Sequence, residues 1–168
     1  MDADDEIAKN ALSTLYNVAE NNNCDLVFCD FIRIENSENQ RSDTFSYKTD
    51  KFFEKKEIVE ALEQELYNHN PVFGHLGLLG CNGRLIKTSI LHDNNILFSE
   101  ELRYLEDKDF GWNILGFVKS VRYIRNQLYT YYVYPNTTTT IIDGIHSNFP
   151  ISNFKLIKKH IENTLKLH

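Results

Sequence analysis

Long apolar runs are missing from this chain of 168 residues. No stretch approaches the roughly 20 residues that a membrane-spanning helix needs. Positive charge is also scarce: Lys and Arg number 18 against 24 Asp and Glu, a formal charge of -6. That sign argues against a general nucleic-acid binder, whose surface must neutralise phosphates. There are only three cysteines, Cys24, Cys29 and Cys81, with no CxxC pair. The odd number excludes a complete disulfide framework. They read as reduced thiols, two of them buried in one strand. Three prolines and seven glycines exclude a collagen-like or low-complexity chain. Neither GxGxxG nor GxxxxGK occurs, so the phosphate loops built on those spacings are excluded. The start, Met1-Asp2-Ala3-Asp4-Asp5-Glu6, is acidic and fits neither a signal peptide nor a transit peptide. What remains, 42% hydrophobic and 25% charged, is the balance of one ordinary globular domain. Abundant Asn, Lys and Ile fit an AT-rich bacterial source.

Periodicity outlines an α/β chain. Ile7, Ala11, Leu15 and Val18 form one helical stripe running to about Asn22, where Asn21-Asn22-Asn23 ends it. Leu26 to Ile34 is solidly apolar and then alternating, which predicts a strand buried on both faces at its start. Glu35 to Asp50 reads as a loop and Glu54 to Tyr67 as a second amphipathic helix. Gly74, Gly77, Gly80 and Gly83 mark a turned connection between Pro71 and Gly83. Arg84 to Leu91 reads as a short helix and Lys108 to Lys119 as a longer one. Val121 to Ile124 and Leu128 to Tyr134 read as two strands, the second carrying Tyr129, Tyr131, Tyr132 and Tyr134. Ile151 to Leu167 closes the chain as a basic amphipathic helix.

Two acidic constellations could carry chemistry. Asp2, Asp4 and Asp5 crowd three carboxylates into four residues, which repel one another unless a cation or a helix end offsets them. Mg2+ and Mn2+ choose such oxygen ligands, usually beside substrate phosphates; a plain acidic helix start is the alternative. An EF-hand is excluded, because Ile7 and Ser13 stand where Gly and Glu are required. A phosphatase of the haloacid-dehalogenase type lacks its preceding strand. The second constellation, Glu106-Asp107 followed by Phe110, suits either a helix start or a general base that takes a proton from an attacking hydroxyl.

The order of these pieces is more specific than any one of them. Asp2-Ala3-Asp4-Asp5 is followed by a helix, by Asp25-Leu26-Val27, by Phe98-Ser99-Glu100-Glu101, by Glu106-Asp107-Lys108-Asp109-Phe110, and by a Tyr-rich strand running into Asn136-Thr137-Thr138-Thr139-Thr140. Over residues 1–140 this succession resembles the bacterial family 2 glycosyltransferases of the GT-A fold, with 141–168 as a helical extension. The resemblance implies a truncated GT-A fold, a small mixed sheet flanked by helices. It implies a metal-dependent, inverting transferase that moves a sugar from a nucleoside diphosphate donor, a UDP-sugar among them, to a hydroxyl of a surface glycan such as lipooligosaccharide or capsule. Asp4 and Asp2 would be the Mn2+ or Mg2+ ligands, and Asp2, Asp4 and Asp5 the donor contacts. Asp107 would be the base, with Glu106 as the alternative, and His75, Asn82 and Arg84 would touch the glycan or lipid-linked acceptor.

In the family a nucleotide-binding half precedes the first acidic motif, whereas here one residue precedes Asp2. The expectation is therefore the C-terminal part of a larger enzyme, inactive by itself. A non-catalytic binding or assembly module is the alternative, and another metal-dependent phosphate enzyme the third option. Without neighbours, the strand from Leu26 to Ile34 would show a bare edge, through which two copies would pair as a homodimer unless the chain's own terminus covers it. The expected location is cytoplasmic. Lys155, Lys158, Lys159 and Lys166 either rest at the inner face of the membrane or lie in water. The sequon at Asn136 reads as an ordinary turn.

Overall fold

The apolar run that begins at Leu26 is the strand around which the rest assembles. The computed structural model describes residues 3–35, 40–43, 49–60, 80–102 and 106–134, with 159, 160, 162, 163 and 166. Its elements are β1 (Glu6–Ile7), α1 (Ala11–Asn22), β2 (Leu26–Glu35), β3 (Gln40–Asp43), β4 (Lys51–Glu54), α2 (described over 55–60), β5 (Arg84–Ile86), α3 (Thr88–Asp93), α4 (Glu106–Leu115) and β6 (Ser120–Val133). Asp2, His75, Asn136 to Thr140, most of the glycine-rich stretch, Lys155 and Lys158 lie outside the described residues.

β2 and β6 run parallel down the middle, paired from Leu26↔Val121 to Glu35↔Val133. Short antiparallel strands complete both sides. β4 and β1 pair with successive parts of β6, and β5 and β3 with successive parts of β2. Alternation along β2 then sorts the core into two layers. Leu26 and Phe28 join Val121 and Tyr123 under Phe110, Trp112, Ile114 and Leu115 of α4. Val27 and Cys29 join Ile124 and Leu128 under Ala11 and Leu15 of α1. The expected mixed sheet flanked by helices is what forms.

Asp25 staples the layers where the two central strands begin. Its carboxylate accepts the Lys119 N–H at 2.8 Å and faces Lys87 Nζ at 3.7 Å. α1 ends as its asparagines suggest. Asn23 takes the left-handed conformation at φ 49°, and the N–H groups of Asn23 and Cys24 return to the Glu20 and Ala19 carbonyls.

Several sequence expectations need correction. The first helix begins at Ala11, because Glu6–Ile7 is claimed by β6 as a short strand, which leaves Ile7 exposed. Arg84 to Ile86 is a strand, and only Thr88–Asp93 is helical, because the edge of β2 beside Leu26 to Phe28 captures it. The loop after Glu35 holds a strand, Gln40–Asp43, returning along β2. The two tyrosine-side strands are one, β6, with extra residues Arg125 and Asn126 between the partners of Cys29 and Asp30. The bare edge expected along Leu26–Ile34 is covered by β5 and β3 on one side and by β6 on the other, which removes the ground for a dimer through it. No helix among the described residues is long and apolar enough to cross a membrane.

Candidate functional site

The first acidic motif is fixed by a single carboxylate. Asp5 is buried just before β1; one oxygen accepts the Tyr129 hydroxyl at 2.5 Å and the other the Tyr132 N–H at 3.1 Å. Both donors sit on the carboxyl-terminal part of β6. Asp5 is therefore an anchor that ties the motif to the sheet. Asp4 beside it is exposed. The motif is held at the carboxyl end of the parallel pair, the end at which open α/β sheets place their ligands.

Tyr129 links this motif to the second one. A Cβ on Gly83 would lie 3.5 Å from Tyr129 Cβ and 3.0 Å from Cys29 Sγ. Gly83 has φ +66°, and its carbonyl accepts both the Cys29 N–H at 3.0 Å and the Cys29 thiol at 3.3 Å. The chain can therefore run tightly over β2, and that contact delivers Arg84. Burial pulls the Arg84 guanidinium down to about 10, with Cys81 and Asp107 opposing the shift, so it stays positive at neutral pH. The Cys81 thiol, 3.8 Å from the Asp107 carbonyl, is pushed up to about 11, chiefly by burial, and is neutral. Asp107 lies in the first turn of α4 beside Glu106, and its carboxylate accepts the Lys108 N–H at 2.8 Å. A carboxylate there is favoured by the helix dipole and the unpaired N–H groups.

Of the expected residues, Arg84 lies within electrostatic range of Asp107, and half-buried Asn82 sits just before Gly83 on the same loop. Tyr129 is buried and is used internally; Tyr132 and Tyr134 stack with centroids 6.3 Å apart, Tyr134 being exposed.

Sequence reasoning missed two buried carboxylates. Asp30 lies opposite the bulge in β6 and accepts the Tyr123 hydroxyl at 2.8 Å. Burial and this bond both push the Tyr123 phenol upward. A carboxylate inside the run Leu26 to Phe31 was the available signal, since buried charge is the informative exception. Asp109, 1% exposed, meets His160 Nδ1 at 2.5 Å and Asn113 at 3.4 Å, which ties the C-terminal segment to α4. Phe98 was also missed: it is half-exposed, yet its ring stacks on Phe110 at 4.1 Å and 7°.

No cluster of three His, Cys, Asp or Glu side chains suited to a metal occurs among the described residues. With Asp5 turned inward, Asp4 is the free carboxylate of the described part of the motif. One or two carboxylates with water and substrate phosphates is the usual holding of Mg2+, and Asp4 fits that role.

No protein-family model and no curated protein matches the sequence. Solved structures do. S. aureus TarS 1-349 superposes with a TM-score of 0.56 at 15% identity, over 98% of this chain and 45% of that one. Its complex with UDP-GlcNAc gives 0.58 at 14% identity, over 98% and 47%. Its complex with UDP gives 0.54 at 18% identity, over 97% and 45%. The fold is a glycosyltransferase fold. The chain spans somewhat under half the length of TarS 1-349.

Proposed function

We propose that this chain carries the metal side and acceptor side of an inverting family 2 glycosyltransferase. It would pass a sugar from a nucleoside diphosphate, UDP first among them, to a hydroxyl of a bacterial surface glycan such as lipooligosaccharide or capsule. The observation that carries the reading is the path from Asp5 through Tyr129 and Gly83 to Arg84 and Asp107, within a glycosyltransferase fold. It links the two acidic motifs through the protein interior.

The chemistry follows from the residues. The acceptor hydroxyl must lose a proton as its oxygen attacks the anomeric carbon, and Asp107 takes it. The N–H of Lys108 fixes the Asp107 carboxylate, so the base is held before substrate arrives, and the positive Arg84 adds a favourable field at longer range. Cys81, a neutral thiol, adds no competing charge. Asp4 would hold Mn2+ or Mg2+, which when bound offsets the charge of the departing diphosphate. Asp5 keeps Asp4 at the strand end. The sugar is displaced directly, so one base suffices and no covalent intermediate forms.

The test is to compare wild type with Asp107→Asn in an enzyme that carries this chain behind a nucleotide-binding half, using UDP-GlcNAc and Mn2+ and reading UDP release and donor binding separately. Loss of at least 100-fold in turnover with unchanged donor affinity is expected for a general base, on the order of its usual contribution. Turnover that survives in Asp107→Asn would remove Asp107 from this role.

A further inference from the structure

Phe98 is 50% exposed, yet one face of its ring lies flat on buried Phe110 at 4.1 Å. A ring covered on one face that keeps half its surface must present the opposite face to solvent. Its segment is not loose: Ile96, two residues earlier, is buried in the core beneath α4. Phe110 sits three and four residues after Asp107 and Glu106, so the three share one side of α4. Helical side chains lean toward the N-terminus, which carries the Phe110 ring, and Phe98 on it, toward that first turn. The exposed aromatic face thus borders the carboxylate assigned as base.

The charges nearby select what can lie there. Glu100 and Glu101, both exposed, follow Phe98, and Glu106 and Asp107 lie one turn before Phe110, on which its ring stacks. Four carboxylates disfavour a phosphorylated or otherwise anionic group. They accept hydrogen bonds from hydroxyls, while the aromatic face suits a flat patch of C–H bonds. A pyranose ring offers both: axial C–H groups on one face and hydroxyls around its rim.

We propose that Phe98 is the platform on which a neutral pyranose ring of the acceptor stacks, holding its hydroxyl beside Asp107; the proposal rests on the transferase reading above. The ring supplies position and the carboxylates supply orientation. Leu97, 70% exposed beside it, extends the apolar strip.

The experiment is saturation-transfer NMR on the full chain with methyl β-D-glucopyranoside, for wild type, Phe98→Ala and Phe98→Trp. Emission from Trp112, the one tryptophan of the wild type, reports whether Phe98→Ala keeps its core, and the melting temperature reports it for Phe98→Trp, which carries a second tryptophan. Saturation should reach H1, H3 and H5 most strongly. Phe98→Ala should weaken binding about fivefold, and Phe98→Trp should restore it. Absence of transfer to wild type overturns the platform, as does binding to a folded Phe98→Ala at wild-type strength. Should Phe98→Ala fail to fold, Phe98→Trp decides: retained binding supports the platform and lost binding overturns it. The two readings separate cleanly. Phe98-dependent pyranoside binding with Asp107-independent UDP release keeps the platform and removes Asp107 as the base. Asp107-dependent turnover with Phe98-independent binding does the reverse.

Discussion

Replacing Gly83 with alanine tests the contact that brings the two acidic motifs into register. The backbone there has φ +66°, which costs an L-residue roughly 1–2 kcal/mol. The new methyl would stand 3.0 Å from Cys29 Sγ, closer than real Cβ atoms tolerate without movement. Cys29 is 1% exposed and is hydrogen-bonded to the Gly83 carbonyl, so it has little room to yield. Overpacking of this kind adds roughly 1–3 kcal/mol. Gly83→Ala should therefore lose about 2–5 kcal/mol in urea denaturation. Cys29→Ala in the same chain removes the clashing sulfur but not the backbone strain. The double variant should then be more stable than the two single losses predict, by about 1–2 kcal/mol. Strict additivity would mean that the Gly83 backbone does not approach Cys29 as described, and the path from Tyr129 to Arg84 would lose its support.

Asp5→Ala removes the acceptor for the Tyr129 hydroxyl and the Tyr132 N–H and should cost about 2–3 kcal/mol in denaturation. Added to it, Tyr129→Phe should cost little more, whereas full additivity would deny the bond. His160→Ala, which leaves buried Asp109 without its nearest partner, should cost about 2–3 kcal/mol, with His160→Asn recovering part through its amide donor; an unchanged melting temperature would show that the C-terminal segment is not tied to α4. Stability should fall between about pH 9 and pH 11. The Cys29 thiol is held at about 11 by burial, so the unfolded chain, with thiols near 9.0, loses protons first. Cys29→Ala should reduce that alkaline slope, and an equal slope would contradict it.

The parts legible in the sequence are those whose cause is local. The stripe through Ala11 and Leu15 is a helical period, and Leu26 to Asp30, all buried, is a run that only an interior strand can hide. Glu106-Asp107 opens α4 because carboxylates suit a helix N-terminus. What escaped depends on distant partners. Arg84–Ile86 is too short to show a period, and the edge of β2 makes it a strand. Gln40–Asp43 is wholly polar and pairs only because β2 lies beside it. Arg125 and Asn126 look like a turn, but are a bulge within one strand. Within the site, identical carboxylates take opposite roles, Asp5 inward and Asp4 outward, and only Tyr129 and Tyr132, far along the chain, tell them apart. The bond from Asp109 to His160 crosses 51 positions and leaves no local signature.

Central to the account is the proposal that Asp4 would hold the donor's metal, on the motif that Asp5 ties to Tyr129 and Tyr132. Mn2+ is paramagnetic and broadens nearby amide signals, so a titration of Mn2+ with UDP into the isotope-labelled chain reads the site directly. The account predicts broadening centred on Ala3 to Glu6, extending to Tyr132 and Gly83, sparing the far end of α1, and abolished by Asp4→Ala. Broadening centred elsewhere, or unchanged in Asp4→Ala, would contradict it.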